Sequence, residues 1–417
     1  MKEIDGVKVR DLVEEYGSPL YVVSESGIRK RMQSFQQTFQ NYYSPVVIAY
    51  SYKTNYLGGI CAITHQEGAW AEVVSGFEYE IARSLGVEGK HIIFNGPYKR
   101  DEELSVAISN NSLINTDSLE EIGRIAKIGK EKRERVPIGI RVNVQLGEIP
   151  WSRFGFNLES GEALDACNSA SNTGTIEIQG LHIHLGTNIN DIDLYYKATE
   201  LILSLVQTLK DEMGIIIKYI DLGGGFACQD APPLGVFPED WVVPSIDEYA
   251  EAICSPLNKA VQSLKNKPTL ILEPGRAIVS ESVFLLTQII SKKNRADSIS
   301  IVVDAGVNLL PSAYYLKHRI ESIQDDGNNS KIPVDIYGPL CMQVDVVGVG
   351  VELPDPQIGD TLMIHSAGAY SISHSIQFAQ PRPGVVLIHD GISEYIKLPE
   401  SGNQIRNLER VPVHLKG

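Results

Sequence analysis

The chain has 417 residues, enough for two or three domains or for one large barrel with an appendage. Hydrophobic residues make up 43% of it and charged residues 21%, which excludes a disordered chain and is ordinary for a globular enzyme. The net charge of −15, without any Lys/Arg-rich run, argues against nucleic acid and anionic membranes as partners.

The cysteines and the N-terminal residues bear on the cellular compartment. Five scattered cysteines without CxxC spacing predict neither a disulfide framework nor a structural zinc site, and they fit a reducing environment. Residues 1–17 contain no apolar signal-peptide core, and no segment approaches about 18 uninterrupted apolar residues. We therefore expect a cytoplasmic protein that does not contact a membrane.

Eight β-rich segments alternate with helical patterns in the first two thirds of the chain. The predicted strands are 45–53, 69–76, 91–97, 112–117, 136–144, 177–186, 217–226 and 269–279. Helical periodicity is clearest over 118–134 and 193–214, where apolar residues recur three and four positions apart. Eight such repeats are typical of a (β/α)8 barrel, with an open doubly wound sheet as the alternative.

The chain changes character after residue 280. Apolar stretches such as FLLTQIIS, SISIVVDAG and GVVLIHDG follow one another there, separated by Gly, Pro, Asp and Asn turns. This pattern indicates an antiparallel β-domain. We assign residues 27–279 to the barrel, and residues 1–26 together with 280–417 to the β-domain.

Polar residues and glycines gather at the C-terminal ends of the predicted strands, where such barrels place their chemistry. They are Lys53, Glu72, Ser75, Asn95, Asp117, Asn143, His184, Gly223, Gly224, Gly225, Glu273 and Arg276. Each alone has an ordinary structural explanation, since a lysine at a strand end is usually a solvated cap and a glycine run is often a tight turn. Eight strands that deliver such residues to one face are a stronger indication of an active site.

Two histidines, His182 and His184, stand on one predicted strand. We expect only one of them to face the lumen, and a core histidine held by a backbone hydrogen bond is the simpler interpretation of either. The pair lacks a third ligand at metal spacing, so we predict no metal site.

Three parts of this strand-end set together predict a cofactor. A lysine whose stem is desolvated can form a Schiff base, as Lys53 would at a barrel mouth. The run DLGGGF (221–226) offers backbone N–H groups that can approach a phosphate. The carboxylate of Glu273 could keep a pyridine nitrogen protonated. These are the parts that pyridoxal 5'-phosphate requires.

With these residues in view, the chain resembles the pyridoxal-phosphate decarboxylases of alanine-racemase fold, which include diaminopimelate and ornithine decarboxylases, and it is most similar to the diaminopimelate branch. The similarity extends over nearly the whole length. The matching motifs are SYKTN (51–55), AEVVSGFE (71–78), FNGPYK (94–99), RVNV (141–144), RFGF (153–156), GLHIHLGTNI (180–189), DLGGGF, EPGRAIV (273–279), VVDAGVN (302–308), YGPLC (337–341) and SAGAY (366–370).

The resemblance implies a role for individual residues. Lys53 resembles the Schiff-base lysine, and His184 the imidazole stacked on the cofactor ring. Glu273 resembles the residue paired with the pyridine nitrogen, and Glu72 the acid near the lysine. The implied phosphate binders are Thr187, Gly224, Gly225, Gly275, Arg276 and Tyr370. The implied substrate pocket contains Arg276, Met342, Tyr315 and Tyr370.

Cys341 resembles the family's cysteine that protonates the carbanion after CO2 leaves. In the family this cysteine comes from the other subunit. The resemblance therefore implies a homodimer with two shared active sites, built on one self-complementary interface.

Two departures from the family pattern concern the substrate. Where diaminopimelate decarboxylases have a glutamate that reads the substrate's distal ammonium, this chain has Met342, and a thioether cannot pair with an ammonium. Where they have an arginine–proline pair for the distal carboxylate, this chain has Pro311 and Ser312. We expect either drift with an unchanged substrate or an amino acid, free or conjugated, that lacks a free distal ammonium.

The expected activity is therefore decarboxylation of the α-carboxylate of an amino acid. True meso-diaminopimelate decarboxylation remains an alternative. An amino-acid racemase or epimerase is another, since the fold and cofactor are shared. A non-catalytic pyridoxal-phosphate-binding protein is the third, although such proteins are typically barrels alone.

Overall fold

The structure is a computed structural model that describes residues 2–147, 152–229, 232–237, 240–264, 266–294, 298–324 and 330–415. The chain forms two compact units. The barrel unit consists of Ile28–Gln229 and Val242–Ile278, and the β-unit of Met1–Gly27, Asp230–Trp241 and Val279–Gly417.

The regular elements follow one another in this order. The first quarter contains β1 (Glu3–Ile4), β2 (Val7–Lys8), α1 (Val9–Tyr16), β3 (Leu20–Ser24), α2 (Glu25–Tyr42), β4 (Val46–Ser51), α3 (Gly58–Gln66), β5 (Trp70–Val73), α4 (Gly76–Ser84) and β6 (Ile92–Phe94). The middle contains α5 (Asp101–Ser109), β7 (Leu113–Thr116), α6 (Leu119–Lys132), β8 (Val136–Asn143), β9 (Phe156–Asn157), α7 (Glu162–Asn172), β10 (Ile176–Ile183), α8 (Ile192–Met213), β11 (Tyr219–Asp221), α9 (Ile246–Val261), β12 (Thr269–Leu272) and α10 (Arg276–Val279). The last third contains β13 (Val283–Asn294), β14 (Ile299–Val303), β15 (Ile320–Ser322), β16 (Lys331–Tyr337), β17 (Val346–Pro354), β18 (Thr361–Ile364), β19 (Val385–His389), β20 (Ile392–Lys397) and α11 (Gly402–Arg406).

The barrel unit is a closed ring of eight parallel strands, which confirms the predicted fold. The strands pair in the order β4, β5, β6, β7, β8, β10, β11 and β12, and β12 returns to β4. Their apolar, mostly β-branched runs are buried, with Ala49, Ile93, Tyr219 and Ile271 forming one core cluster inside the unit. The predicted helices at 118–134 and 193–214 are α6 and α8.

Serine residues start the helices that follow several barrel strands. The hydroxyl groups of Ser75, Ser118 and Ser245 accept hydrogen bonds from the backbone N–H three residues on, which begins α4, α6 and α9. Such a cap satisfies one of the free N–H groups of the first turn. Ser75 and Ser118 stand two residues beyond the ends of β5 and β7, so α4 and α6 begin directly after their strands, whereas Ser245 stands 24 residues beyond the end of β11.

The β-unit is built on one sheet with the path β17, β16, β14, β13, β3, β19 and β20, and β18 pairs with β13 and β15. Most pairings are antiparallel as predicted, but β14 with β16 and β19 with β3 are parallel. Its core includes Val9, Leu12, Val22, Leu286 and Val386.

The segment Asp230–Trp241 belongs to the β-unit. The domain boundaries predicted from the sequence had included it in the barrel, residues 27–279. The backbone N–H of Lys317 donates to the carbonyl of Pro232 (2.8 Å), and that of Leu234 to the carbonyl of Tyr315 (3.0 Å). These bonds tie the described part of the segment to the β-unit. Among the described residues no helix has the length and apolar character needed to cross a membrane.

Candidate active site

Lys53 lies directly beyond β4, in a single 3-10 turn formed by Tyr52–Thr54. Its Nζ is 2.7 Å from Oε2 of Glu72, a carboxylate at the end of β5 that is fully buried. The Ser51 hydroxyl donates to the same oxygen (2.6 Å). The lysine side chain keeps about a third of its surface accessible, so its amine is held by a buried anion and remains reachable.

A single asparagine joins this pair to a second carboxylate. Nδ2 of Asn95, just beyond β6, donates to Oε1 of Glu72 (3.1 Å) and to Oε1 of Glu273 (2.6 Å). Glu273 follows β12 and is 3% exposed. The ends of three strands are thereby linked through one buried hydrogen-bonded chain.

Glu273 is surrounded by groups that favour its ionised form. Burial opposes ionisation, but the nearby His182 and then the charge of Lys53 outweigh it and hold the pKa of Glu273 below its usual range. Nε2 of His182 lies 3.5 Å from Oε2 of Glu273. Burial raises the pKa of Asp221, and repulsion by Glu273 raises it further. One oxygen of each of these two carboxyl groups and one ring nitrogen of His182 lie within 4.8 Å of one another.

Both histidines of the HIHLG motif reach the site, so the expectation that only one faces the lumen is wrong. Residues two apart on a strand point to the same face, and the charge of Glu273 acts on His182 and on His184 alike. Nδ1 of His184 accepts a hydrogen bond from the backbone N–H of Gly224 (3.1 Å). Burial, followed by the charge of Lys53, lowers the pKa of His184 well below its usual value, which leaves the imidazole neutral.

The glycine run after β11 packs against the ends of both neighbouring strands. Gly223 and Gly225 have φ angles of +65° and +97°, which favour glycine. A Cβ on Gly225 would come 2.6 Å from the carbonyl oxygen of Gly186, and one on Gly224 would collide with the carbonyl oxygen of Glu273. The Tyr195 hydroxyl fixes the loop by donating to the Gly224 carbonyl (2.9 Å).

Other predicted residues lie around this loop. A Cβ on Gly275 would collide with the Thr54 hydroxyl oxygen, so the EPGR turn also approaches the Lys53 turn closely. Arg276 is buried and begins α10, whereas the side chain of Thr187 is exposed. Beside Thr187, Nδ2 of Asn188 is buried and has no hydrogen-bond partner in the part of the chain that the structure describes.

Two other strand-end residues hold a neighbouring loop. Nδ2 of Asn143 donates to the carbonyl of Phe154 (2.8 Å), and Oδ1 of Asp117 accepts from the N–H of Gly155 (3.0 Å). Their role in the structure is to position the RFGF segment.

Within the β-unit, Cys341 and Met342 lie in one tight loop organised by Asp345. The Asp345 carboxylate is buried and accepts the N–H groups of Val307 (2.8 Å) and Leu340 (2.7 Å). Its own N–H donates to the Met342 carbonyl (3.2 Å), and Cys341 is exposed. Asp345 thus links the VVDAGVN and YGPLC motifs by hydrogen bonds.

The remaining predicted residues of the β-unit stand apart from that loop in sequence. Tyr370 has a φ of +60° and its ring lies 5.2 Å from that of His374. Tyr315 is 42% exposed. Ser312 is fully buried, and its hydroxyl lies 2.8 Å from Nε2 of His318.

Sequence reasoning overlooked two buried polar residues of the barrel. Nδ2 of Asn115, on β7, donates to Oδ1 of Asn95 (2.8 Å) and to Oδ2 of Asp221 (3.3 Å). Asn115 directly follows the apolar pair Leu113–Ile114, and Asp221 stands between Ile220 and Leu222. A polar residue beside such apolar residues in a predicted buried strand could have drawn attention to both.

Comparison with known proteins adds the following findings. A family model described as pyridoxal-dependent decarboxylase, pyridoxal binding domain, matches residues 25–280. The diaminopimelate decarboxylase of Aquifex aeolicus is 31% identical to the chain, over 96% of the chain and 94% of that protein. The diaminopimelate decarboxylase of Methanocaldococcus jannaschii is 32% identical, over 99% of the chain and 95% of that protein. A crystal structure of the M. jannaschii diaminopimelate decarboxylase in complex with L-lysine matches with a TM-score of 0.90 at 31% identity, over 97% of this chain and 95% of that one.

Proposed function

Because the chain belongs to the pyridoxal-dependent decarboxylase family, it is a pyridoxal-phosphate-dependent amino-acid carboxy-lyase, and we propose that Lys53 holds the cofactor while Glu273 faces its ring nitrogen. The observation that carries this assignment is the buried chain from Lys53 through Glu72 and Asn95 to Glu273.

The residues of the barrel unit fit this cofactor. The glycine loop packs so closely on the neighbouring strand ends that a Cβ on Gly223, Gly224 or Gly225 would collide with backbone oxygens. Nδ2 of Asn188 beside the loop is a buried donor without a partner among the described residues. The N–H groups of Gly223 and Gly224 already donate to Asp221 and His184, so the Gly225 N–H and the Asn188 amide are the donors that this proposal assigns to a phosphate. When bound, pyridoxal phosphate supplies the electron sink that takes up the negative charge left on the α-carbon as CO2 departs.

The protein's own groups have separable tasks in this proposal. Glu72 accepts the Lys53 ammonium and the Ser51 hydroxyl, and so fixes the amine at the mouth of the barrel. The ionised Glu273 favours a proton on the group that it faces. His184 stays neutral, and the N–H of Gly224 orients its ring, which would stack on the cofactor.

We propose that Cys341 returns a proton to the α-carbon in the site of a second copy. Its support is the resemblance, together with the exposure of Cys341 on a loop that the buried Asp345 holds rigidly. A homodimer would then contain two sites, each completed by Cys341 of the partner subunit.

The proposed substrate is an amino acid without a free distal ammonium, a diaminopimelate analogue or a conjugated amino acid. Met342 offers no charge to an ammonium, and Ser312 is buried against His318 at the place of the family's arginine–proline pair. Replacing a charge-assisted hydrogen bond by a thioether costs about 1.5–3 kcal/mol, or roughly 10- to 100-fold in kcat/KM.

The second candidate is meso-diaminopimelate itself, with Met342 and Ser312 as drift. It is favoured by the comparison, because relatives named diaminopimelate decarboxylase match this chain over nearly their full length.

CO2 release from meso-diaminopimelate and from its distally N-acetylated derivative separates the two candidates. We expect the acetylated compound to be preferred at least 10-fold, and a Met342→Glu variant to reverse the preference. Lysine, ornithine and glutamate serve as reference substrates. Preference for the free compound by the wild type would establish the second candidate.

A further inference from the structure

Four residues form one row across neighbouring strands of the barrel. In the order of the strands β7, β8, β10 and β11 they are Asn115, Gly139, Gly180 and Tyr219, each aligned with the next by backbone pairing. A glycine weakens a strand, so two aligned glycines mark a place where another group comes close to the backbone. That group is Tyr219, because a Cβ on Gly180 would collide with its ring and one on Gly139 with its hydroxyl group. The tyrosine side chain therefore lies along the row, across both glycines.

The tyrosine hydroxyl group begins a chain of buried hydrogen bonds. It donates to Oδ1 of Asn115 (3.0 Å), and Nδ2 of Asn115 donates to Oδ1 of Asn95 (2.8 Å). Nδ2 of Asn95 in turn donates to Oε1 of Glu72 (3.1 Å) and to Oε1 of Glu273 (2.6 Å). Tyr219, Asn115 and Asn95 are all buried. One hydroxyl group is thereby connected through two amides to both carboxylates of the candidate site.

The direction of this chain is fixed at both ends. A carboxylate only accepts hydrogen bonds, so Asn95 must turn its NH2 group toward the two carboxylates. Its carbonyl oxygen then faces Asn115, which must donate to it and turn its own carbonyl oxygen toward Tyr219. A buried carbonyl oxygen needs a donor. The Tyr219 hydroxyl supplies it, because burial raises the pKa of Tyr219 well above its usual value and keeps the proton on the oxygen.

We propose that Tyr219 is a positioning residue whose hydroxyl group fixes the orientation of both amides and so keeps a donor aimed at Glu72 and Glu273. This role rests on the proposed function, in which these two carboxylates serve the lysine and the ring nitrogen of the cofactor. Without the hydroxyl group, the first amide can rotate and present its oxygen to the oxygen of the second. The two carboxylates then lose their shared donor and take up a proton more readily.

Other charged and titratable groups act on the two carboxylates from the surrounding elements. They are Lys53, Glu78 of α4, Arg141 of β8, His182 of β10, His184 and Asp221 of β11. A Tyr219→Phe substitution leaves all of them in place and removes only the hydroxyl group. Since carboxylates without their donor are protonated at a higher pH, the acid limb of the kcat/KM profile should move to higher pH in this variant.

The test compares Tyr219→Phe with the wild type and with Tyr79→Phe, which loses a buried hydroxyl contact of the same kind, to Ser112 (2.9 Å). In the full-length chain labelled with 15N-asparagine, the side-chain amide signals of Asn95 and Asn115 are identified by their loss in Asn95→Asp and Asn115→Asp. Both signals should shift in Tyr219→Phe, and neither should shift in Tyr79→Phe. In the holoenzyme, Tyr219→Phe should lower kcat by roughly 3- to 10-fold with little change in KM, the size of one neutral hydrogen bond. Tyr79→Phe should keep the kcat and the pH profile of the wild type.

An Asn95 signal that stays in place in Tyr219→Phe would overturn the proposal, and so would a kcat and a pH profile equal to those of Tyr79→Phe. Should Tyr219→Phe fail to fold, Asn115→Ala interrupts the chain at its next member and is judged by the same Asn95 signal and the same pH profile. The amide signals do not need the cofactor. Failure of the wild type to bind pyridoxal phosphate would therefore count against the proposed function, while the amide signals still decide whether Tyr219 orients Asn95.

Discussion

Replacement of Gly223 by alanine should disturb the proposed cofactor-binding loop through two contacts of the added Cβ. Gly223 has a φ of +65°, and its added Cβ would come 2.7 Å from the Ile183 carbonyl oxygen and 2.8 Å from Nδ1 of His184. The left-handed conformation costs an alanine about 1–2 kcal/mol, and overpacking adds roughly 1–3 kcal/mol. Since Nδ1 of His184 also accepts the Gly224 N–H, the displaced imidazole loses its orientation.

Gly214 provides a matched control, because its φ is +66° and a Cβ there would meet nothing within 4 Å. We expect Gly214→Ala to lose only the conformational part, about 1–2 kcal/mol of unfolding free energy, with wild-type cofactor affinity. Gly223→Ala should lose about 2–5 kcal/mol and bind pyridoxal phosphate at least 10-fold more weakly. Urea unfolding and titration of the apoprotein with cofactor measure both quantities. Equal losses in the two variants would refute the contact with His184 as the cause.

Three further predictions concern other parts of the chain. Asp345→Ala should lower the unfolding free energy in urea by about 2–5 kcal/mol, because it leaves the buried N–H groups of Val307 and Leu340 unpaired; stability equal to that of the wild type would contradict this. Burial raises the pKa of Glu78 from 4.5 to about 7, so the unfolding free energy of the wild type should fall as the pH rises through that interval. In melting experiments at a series of pH values, Glu78→Gln should remove up to about 3 kcal/mol of this fall. If the variant shows the same pH dependence as the wild type, Glu78 is not a buried neutral acid. Cys341→Ala should lower kcat by roughly 100-fold or more and leave cofactor binding unchanged. An unchanged kcat would mean that another group protonates the α-carbon.

The barrel was predictable because its signal is local and repeated. Each apolar run with its following helix could be recognised by itself, and eight of them sufficed. The ends of the strands were predicted less accurately than their number. The predicted strands 217–226 and 269–279 contain β11 and β12, which have only three and four residues. In both segments the apolar residues continue beyond the last hydrogen bond to a neighbouring strand, although the chain there already forms the glycine loop or α10.

The β-unit shows what a single sequence conceals. Its strand β3, near the N-terminus, lies between β13 and β19 and pairs in parallel with β19. Such pairing across more than 350 residues leaves no local pattern, so the sequence suggested an antiparallel domain only. In the candidate site, Lys53, Glu72 and Glu273 were predicted from their positions at strand ends, and the structure links them through Asn95. Asp221 was not predicted, because its closeness to Glu273 depends on the pairing of β11 with β12, which no local pattern shows.

The central claim, that Lys53 carries the cofactor, can be tested by reducing the holoenzyme with borohydride and mapping the pyridoxyl group by peptide mass spectrometry. The barrel also contains a fully buried lysine, Lys99, whose ammonium donates to two carbonyls and to Glu121 (2.8 Å) and is therefore fully engaged. We predict modification of the peptide that contains Lys53, and none of that peptide in a Lys53→Ala variant. A pyridoxyl group on Lys99, or on any lysine other than Lys53, would contradict the account.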